Sequence, residues 1–350
     1  MAIIKTDEFP LELVPAPLLA WYRECKRDLP WRENPAPYRV WVSEIMLQQT
    51  RVEAAKEYYL RFLSALPTVR DLADCEEEKL LKLWEGLGYY SRARNLQKTA
   101  KIVAYERGGE FPCDPKELQK LPGIGAYTAG AIASIAFGKR TPAVDGNVFR
   151  VLSRLMENPT EISEADYRKY LEERLRAVYP AEGAACSDFT QALMELGALV
   201  CKPTSPDCAL CPLAGLCKAR ESGTQTQFPV IAKKAEQKKQ TLLVFLIKTK
   251  EGVCIRKRES GVLKGMYEFP SVAANGTETP ESVLNGWGVY AFKILDKKKF
   301  THTFTHIKWE MQCYLAEAEK GAFESVSMEK LQGEISLPTA FRQCLSMLEK

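Results

Sequence analysis

Four cysteines fall within seventeen residues, Cys201, Cys208, Cys211 and Cys217, in the pattern C-x6-C-x2-C-x5-C. Thiolates gathered this densely suit a soft metal centre, and a structural zinc ion and an iron–sulfur cluster both accept four of them. Spacing alone does not choose between the two. Two carboxylates offer a different chemistry. Glu44 lies in the run Val40-Trp41-Val42-Ser43-Glu44-Ile45-Met46-Leu47, whose apolar neighbours predict a helix buried on most sides. Burial raises a carboxyl pKa, so Glu44 is a candidate general acid that still holds its proton near neutrality. The plainer reading is a buried glutamate paired with a base such as Arg32. Asp145, in Val144-Asp145-Gly146-Asn147-Val148, reads most simply as a helix N-cap. Its sharper reading is the second carboxylate of a pair that breaks a glycosidic bond. Finally, Leu121-Pro122-Gly123-Ile124-Gly125 precedes an Ala-rich helix. Such a turn exposes backbone N–H groups to a phosphate oxygen, although glycines also punctuate ordinary helix hairpins.

The elements that must position these groups change character along the chain. From Leu11 to about Leu199 the periodicity is helical, with apolar residues three and four apart in Val52–Leu66, Glu77–Trp84, Arg92–Glu106 and Tyr167–Val178. Prolines and glycines separate these segments. Residues 221–240 are polar and lysine-rich, including Lys233, Lys234, Lys238 and Lys239, and read as a linker, either one that runs along a phosphate backbone or, more plainly, an ordinary solvated connector. From Thr241 the texture is β: Leu242–Lys248 has strand length, a Lys250-Glu251-Gly252 turn leads into Val253–Arg258, and Trp309, Met311, Cys313 and Leu315 alternate with polar neighbours. Short helices are expected after Pro280 and Pro338. The predicted organisation is a mainly α domain over 1–220 with the cysteine loop at 201–217, a linker over 221–240, and an α+β domain over 241–350.

Composition sets the outer limits. The chain has 350 residues, 46% hydrophobic and 27% charged, with a formal net charge of +4. That excludes collagenous and wholly disordered classes, and is compatible with nucleic acid without demonstrating it. No apolar run is long enough to span a bilayer and no export signal is visible, so a soluble cytoplasmic protein is expected, nucleoid-associated if bacterial. Eleven cysteines in that setting argue against a disulfide framework.

Together these residues resemble the helix-hairpin-helix DNA glycosylases of the endonuclease III-like superfamily, specifically adenine glycosylases of the MutY type. The resemblance rests on Ser43–Thr50, the Leu121–Gly125 hairpin, Val144–Asn147 and the cysteine loop, in that order. Gly261–Pro270 and Phe304-Thr305-His306 resemble that family's C-terminal, Nudix-like domain. It implies that the four cysteines hold a 4Fe–4S cluster, and that the partner is duplex DNA bearing adenine opposite 8-oxoguanine or guanine, bound by a monomer. Glu44 would protonate the flipped adenine, Asp145 would steady the positive sugar, and Tyr127 and Asn147 would orient Asp145 or the incoming water. Arg32, Leu47 and Gln191 would line the adenine pocket. Gln49 and Tyr89 would enter the duplex, Leu121, Gly123 and Gly125 would meet the backbone, and Phe304, Thr305 and His306 would inspect the 8-oxoguanine.

Two details refine the expectation. Lyase members of the superfamily carry a lysine where this chain has Tyr127, and a phenol cannot form a Schiff base. A monofunctional enzyme is therefore expected over the alternative, an endonuclease III-like glycosylase/lyase acting on damaged pyrimidines. The C-terminal region lacks the glutamate-rich array that would hold catalytic magnesium in a Nudix hydrolase, so recognition without hydrolysis is expected. The family usually reads Phe-Ser-His at the tip, and Thr305 adds a methyl group that restricts χ1. A weakened or altered preference for 8-oxoguanine over guanine is therefore expected.

Overall fold

The computed structural model describes residues 9–232 and 236–349, so Lys233 and Lys234 of the expected linker lie outside the described residues. In chain order the first helices are α1 (Pro15–Cys25), α2 (Pro30–Glu33), α3 (Pro37–Leu47), α4 (Val52–Ala65), α5 (Val69–Asp74), α6 (Glu77–Leu83) and α7 (Ser91–Lys101). They continue as α8 (Pro115–Leu118), α9 (Ala126–Ala131), α10 (Gly146–Met156), α11 (Ala165–Val178), α12 (Ala184–Leu199) and α13 (Lys218–Glu221). Proline occupies the first turn of α1, α2, α3 and α8. Its fixed φ and missing N–H suit that position, so these prolines start helices rather than break them.

The chain forms two compact units, one holding residues 9–74 and 95–232 and the other 75–94 and 236–349. The helical domain expected over 1–220 is therefore interrupted: Cys75–Arg94, with α6 and the start of α7, group with the C-terminal sheet. In the first unit, α1, α10, α11 and α12 share a core that includes Leu18, Val148, Leu152, Leu171, Phe189 and Leu193. Among the described residues this unit has no strand.

The second unit is built on β1 (Lys238–Thr249), β2 (Gly252–Lys257), β3 (Tyr267–Glu268), β4 (Ser271–Ala273), β5 (Phe292–Thr303), β6 (Ile307–Ala318) and β7 (Glu324–Val326). The sheet runs β3-β2-β1-β6-β5, with β1 and β6 parallel and β5 and β6 antiparallel. Helices α14 (Pro280–Gly286), α15 (Met328–Gly333) and α16 (Thr339–Arg342) complete the unit. Residues Leu242–Ile247 of β1 are all buried, because alternate side chains enter two cores on opposite faces. β5 escapes the sequence reading. Its Asp296-Lys297-Lys298-Lys299 run lacks the apolar alternation that marks a half-buried strand, yet the segment pairs along its length with β6. No helix among the described residues is long and apolar enough to cross a membrane.

Candidate active site

Helix α3 buries every residue from Val40 to Met46, and Glu44 is the charged member of that stretch, only 5% exposed. Burial pushes its carboxyl up to about 7. The hydroxyl of Tyr127 opposes this by donating to Glu44 Oε2 at 2.5 Å, while the nearby charge of Asp145 adds to it. Tyr127 sits on the first turn of α9, which Gly125 begins. Burial and the neighbouring carboxylates push its phenol well above the ordinary range, so it remains a proton donor. The sequence reading gave this phenol to Asp145; the structure gives it to Glu44.

Asp145 takes the N-cap role expected of it and shares a cavity with the other carboxylate. It caps α10, with Oδ1 accepting the Val148 N–H at 2.7 Å, and it lines the same cavity as Glu44. Its second oxygen accepts from Asn147 Nδ2 at 2.8 Å. Burial lifts the Asp145 carboxyl above its ordinary range, and the Val148 and Asn147 hydrogen bonds offset only part of that rise. Asn147 is itself held: Arg150 Nη2 donates to its Oδ1 at 2.8 Å, and Gly197 on α12 packs so closely that a Cβ there would meet Asn147 Cβ at 2.5 Å. Arg150 then reaches the carbonyls of Gly197 at 2.9 Å and Cys201 at 2.7 Å. A chain of hydrogen bonds thus runs from Asp145 to the cysteine loop.

The cavity between these helices has a volume of about 1160 Å³, and Arg32, Glu44, Leu47, Gln49, Tyr127, Asp145, Asn147 and Gln191 all line it. Its opposite wall carries a buried glutamate that sequence reasoning missed. Glu195 on α12 receives Arg27 Nη2 at 2.8 Å and Arg32 Nη2 at 2.9 Å, while Arg32 Nε donates to Gln191 Oε1 at 3.0 Å. Burial alone would raise Glu195, but the two arginines hold it down at about 2. Its signal was in the sequence: a lone acid in an apolar helical run, as at Glu44, one turn beyond Gln191. Arg32 therefore pairs with Glu195 rather than with Glu44.

The four cysteines line one small cavity together with Arg154 and Gln225. Arg154 is buried and donates to Cys201 Sγ at 3.3 Å and to the carbonyls of Lys202 and Pro203, both at 2.7 Å. Gln225 Nε2 lies 3.7 Å from Cys208 Sγ. Burial pushes the Cys211 thiol up to about 11 and also raises Cys217. Among the described residues no three Cys, His, Asp or Glu side chains converge on a single-ion site. Four sulfurs around one cavity, with a buried guanidinium against them, match the donor set and charge of an anionic thiolate-bound group.

The remaining predicted residues fall in three places. Gln49 lies two residues past the end of α3, at the cavity, with a φ of 61°. In the hairpin, Gly123 takes a φ of 76° and would carry a Cβ 2.8 Å from Asn95 Cβ, so glycine is required there. Leu121 is buried, which leaves its backbone rather than its side chain to face a partner. Within the second unit, Phe304, Thr305 and His306 form the tip between β5 and β6, with Phe304 packed edge-on to Trp309 at 4.7 Å. Tyr89, at a φ of 46° and 47% exposed, places its hydroxyl 2.5 Å from Thr305 Oγ1. Both line a cavity of about 610 Å³.

Comparison with known proteins now adds to this geometry. Residues 42–177 match the family model described as HhH-GPD superfamily base excision DNA repair protein, and residues 243–347 match a NUDIX domain. The human adenine DNA glycosylase is 35% identical over 85% of this chain, and the mouse protein 34% identical over the same share. The chain spans 65% and 69% of those two proteins' lengths. The adenine DNA glycosylase of Buchnera aphidicola subsp. Baizongia pistaciae is 35% identical over 83% of this chain and 82% of its own length. Among solved structures, a thermostable thymine-DNA glycosylase is 29% identical with a TM-score of 0.55, covering 62% of this chain and 100% of its own. An endonuclease III in a non-covalent DNA complex is 25% identical with a TM-score of 0.53, covering 64% of this chain and 100% of its own.

Proposed function

Since the chain belongs to the adenine DNA glycosylases of the HhH-GPD superfamily, we propose that it is a monofunctional glycosylase that excises adenine opposite 8-oxoguanine, and opposite guanine, in duplex DNA. The observation that carries this reading is the pair of carboxylates on one cavity, Glu44 held near neutrality by burial and Asp145 held by an N-cap and an amide. An adenine must leave the stack to reach them, at a cost of a few kcal/mol. Glu44, its free oxygen facing the base, protonates N7 and turns adenine into a good leaving group. Asp145 then faces an oxocarbenium-like sugar whose positive charge it stabilises, and Asn147 keeps that carboxylate aimed. Tyr127 fixes the rotamer of Glu44 and offers no amine for a Schiff base.

In this reading Arg32, Leu47 and Gln191 bound the base. Gln49 and Tyr89 meet the duplex, together with the backbone around Leu121, Gly123 and Gly125. Phe304, Thr305 and His306 read the opposite base from a domain that recognises without hydrolysing. Cys201, Cys208, Cys211 and Cys217 would hold a 4Fe–4S cluster, with Arg154 compensating its negative charge; when bound, the cluster fixes the loop that Arg150 joins to Asn147. The protein would act as a cytoplasmic monomer.

The test is base release from duplexes carrying adenine opposite 8-oxoguanine, guanine or thymine. Excision opposite the first two, abolished by Asp145→Asn with DNA affinity kept, is expected; full activity of that variant overturns the assignment. A borohydride-trapped protein–DNA adduct would instead favour the lyase alternative.

A further inference from the structure

The bulge in β5 exposes a surface that the proposed reaction does not use. Register between β5 and β6 slips between Ile294 and Asp296, which reverses which side chains face which side of the sheet. Before the slip, Ile294 enters the core around Phe245, Tyr314 and Ala316. After it, Lys297 and Lys299 are exposed on that same face, paired with Tyr314 and Gln312. The core covers only the far half of the face. The half beside the tip is open and also carries Lys239 of β1 and Lys308 of β6, which are direct cross-strand partners.

Four lysines here face one acid, Glu310, and among the described residues none of the four is in an ion pair. Lysines on an edge strand often serve only to prevent edge-to-edge pairing, and β5 is an edge. That explanation does not reach Lys308, whose strand is paired on both sides there, with Lys239 of β1 and Thr303 of β5. Like charges directly opposite one another cost stability, so the pair is better explained by an anion that offsets them. Lysines two apart on a strand lie on one side with a regular spacing, as a track of phosphates requires. The track leads to Thr303 and from there into the tip.

We propose that this open half-face is a docking surface for the phosphate backbone of duplex DNA, formed by Lys239, Lys297, Lys299 and Lys308. It rests on the reading of the tip as a DNA-facing element, and it adds a contact that is independent of sequence and lesion. The experiment is a salt titration of full-length protein binding to an undamaged duplex. The Lys239→Gln/Lys297→Gln/Lys299→Gln/Lys308→Gln variant should lower the slope of log K against log salt by about 3.6, since each of the four phosphate contacts contributes about 0.9. Affinity at low salt should fall at least tenfold, with the single-turnover excision rate at saturating enzyme unchanged. Lys320→Gln, beyond the far end of β6, should change neither. An unaltered slope overturns the proposal, and a surface for an acidic protein would give that result. If the fourfold variant aggregates, the Lys239→Gln/Lys308→Gln variant leaves the edge strand intact and should still lose about 2 from the slope. Absence of adenine excision by the unaltered protein would sink the reading of function while leaving the slope result standing.

Discussion

The two walls of the helical unit's cavity each bury a glutamate, and they treat it in opposite ways. Glu195, on α12, is met by two guanidinium groups and stays ionised far below the usual carboxylate range. Glu44, on α3, has one phenol as its hydrogen-bond donor, feels Asp145 and Arg32 only as opposing charges, and is lifted to about 7. Both are almost fully buried. The chain can therefore neutralise a buried carboxylate in this cavity, and at Glu44 it does not. A neutral acid at physiological pH is costly to keep, and that cost is the usual mark of a group whose proton is used.

Replacing Glu44 with Gln tests this contrast most severely. Glutamine can still accept from Tyr127, so the wall keeps its shape, but no proton is available for the base. Single-turnover base release should fall by roughly 10²–10⁴, the usual contribution of a general acid. Stability should move the other way. Glu44 binds its proton more tightly folded than unfolded, so its contribution is fully present below about pH 4.3 and is lost as pH rises through about 7. At pH 8 the substitution should stabilise the fold by up to about 3 kcal/mol, read by denaturant unfolding, and by little at pH 4. The excision rate of the unaltered protein should hold up to about pH 6 and decline as pH rises through about 7, where folded Glu44 loses its proton. A variant that is less stable at pH 8 would break the comparison.

Glu195→Gln should do the reverse. Its carboxylate is depressed on folding, so the stability it contributes is present above about pH 4.3 and fades as pH falls towards 2. Removing the charge leaves Arg27 and Arg32 with an amide between them. A loss of roughly 3 kcal/mol at pH 7 is expected, shrinking in acid, because two desolvated cations lose their counter-charge. Excision should suffer less than in Glu44→Gln, since Asp145, Asn147 and Tyr127 keep their own partners. Equal stability at pH 7 would mean that the arginine pair does not hold Glu195 as its geometry indicates.

The same contrast separates what the sequence made legible from what it hid. Glu44, Asp145 and the cysteines could be singled out because each is an anomaly in its local pattern: an acid in an apolar helix, an Asp before a helix, thiols crowded in a loop. Partnership could not be read. The resemblance places Tyr127 on Asp145 and the local pattern offers Arg32 to Glu44, whereas the fold joins Tyr127 to Glu44 and Arg32 to Glu195. These pairs span 83 and 163 residues, and nothing in local periodicity encodes which helix faces which. The helices and the first strands were visible as periods of 3.6 and 2. β5 was hidden by its lysines, and Cys75–Arg94 read as one more pair of helices because grouping depends on packing, not on pattern.

The smallest effect is expected where no charge is buried at all, at the tip of the second unit. Thr305 is exposed and shares its hydroxyl with Tyr89. A neutral, solvent-accessible hydrogen bond is worth about 1 kcal/mol, far less than either glutamate. The methyl of Thr305 restricts the rotation of that hydroxyl, so Thr305→Ser frees it to turn from Tyr89 towards a base in the adjoining cavity. The ratio of excision rates opposite 8-oxoguanine and guanine should rise by a factor of about 2–5, an energy below about 1 kcal/mol, with the rate opposite guanine unchanged. Measuring the two single-turnover rates on one preparation is enough. An unaltered ratio would show that the hydroxyl is engaged by Tyr89 regardless of the methyl, and would make the phenol rather than residue 305 the group that addresses the opposite base.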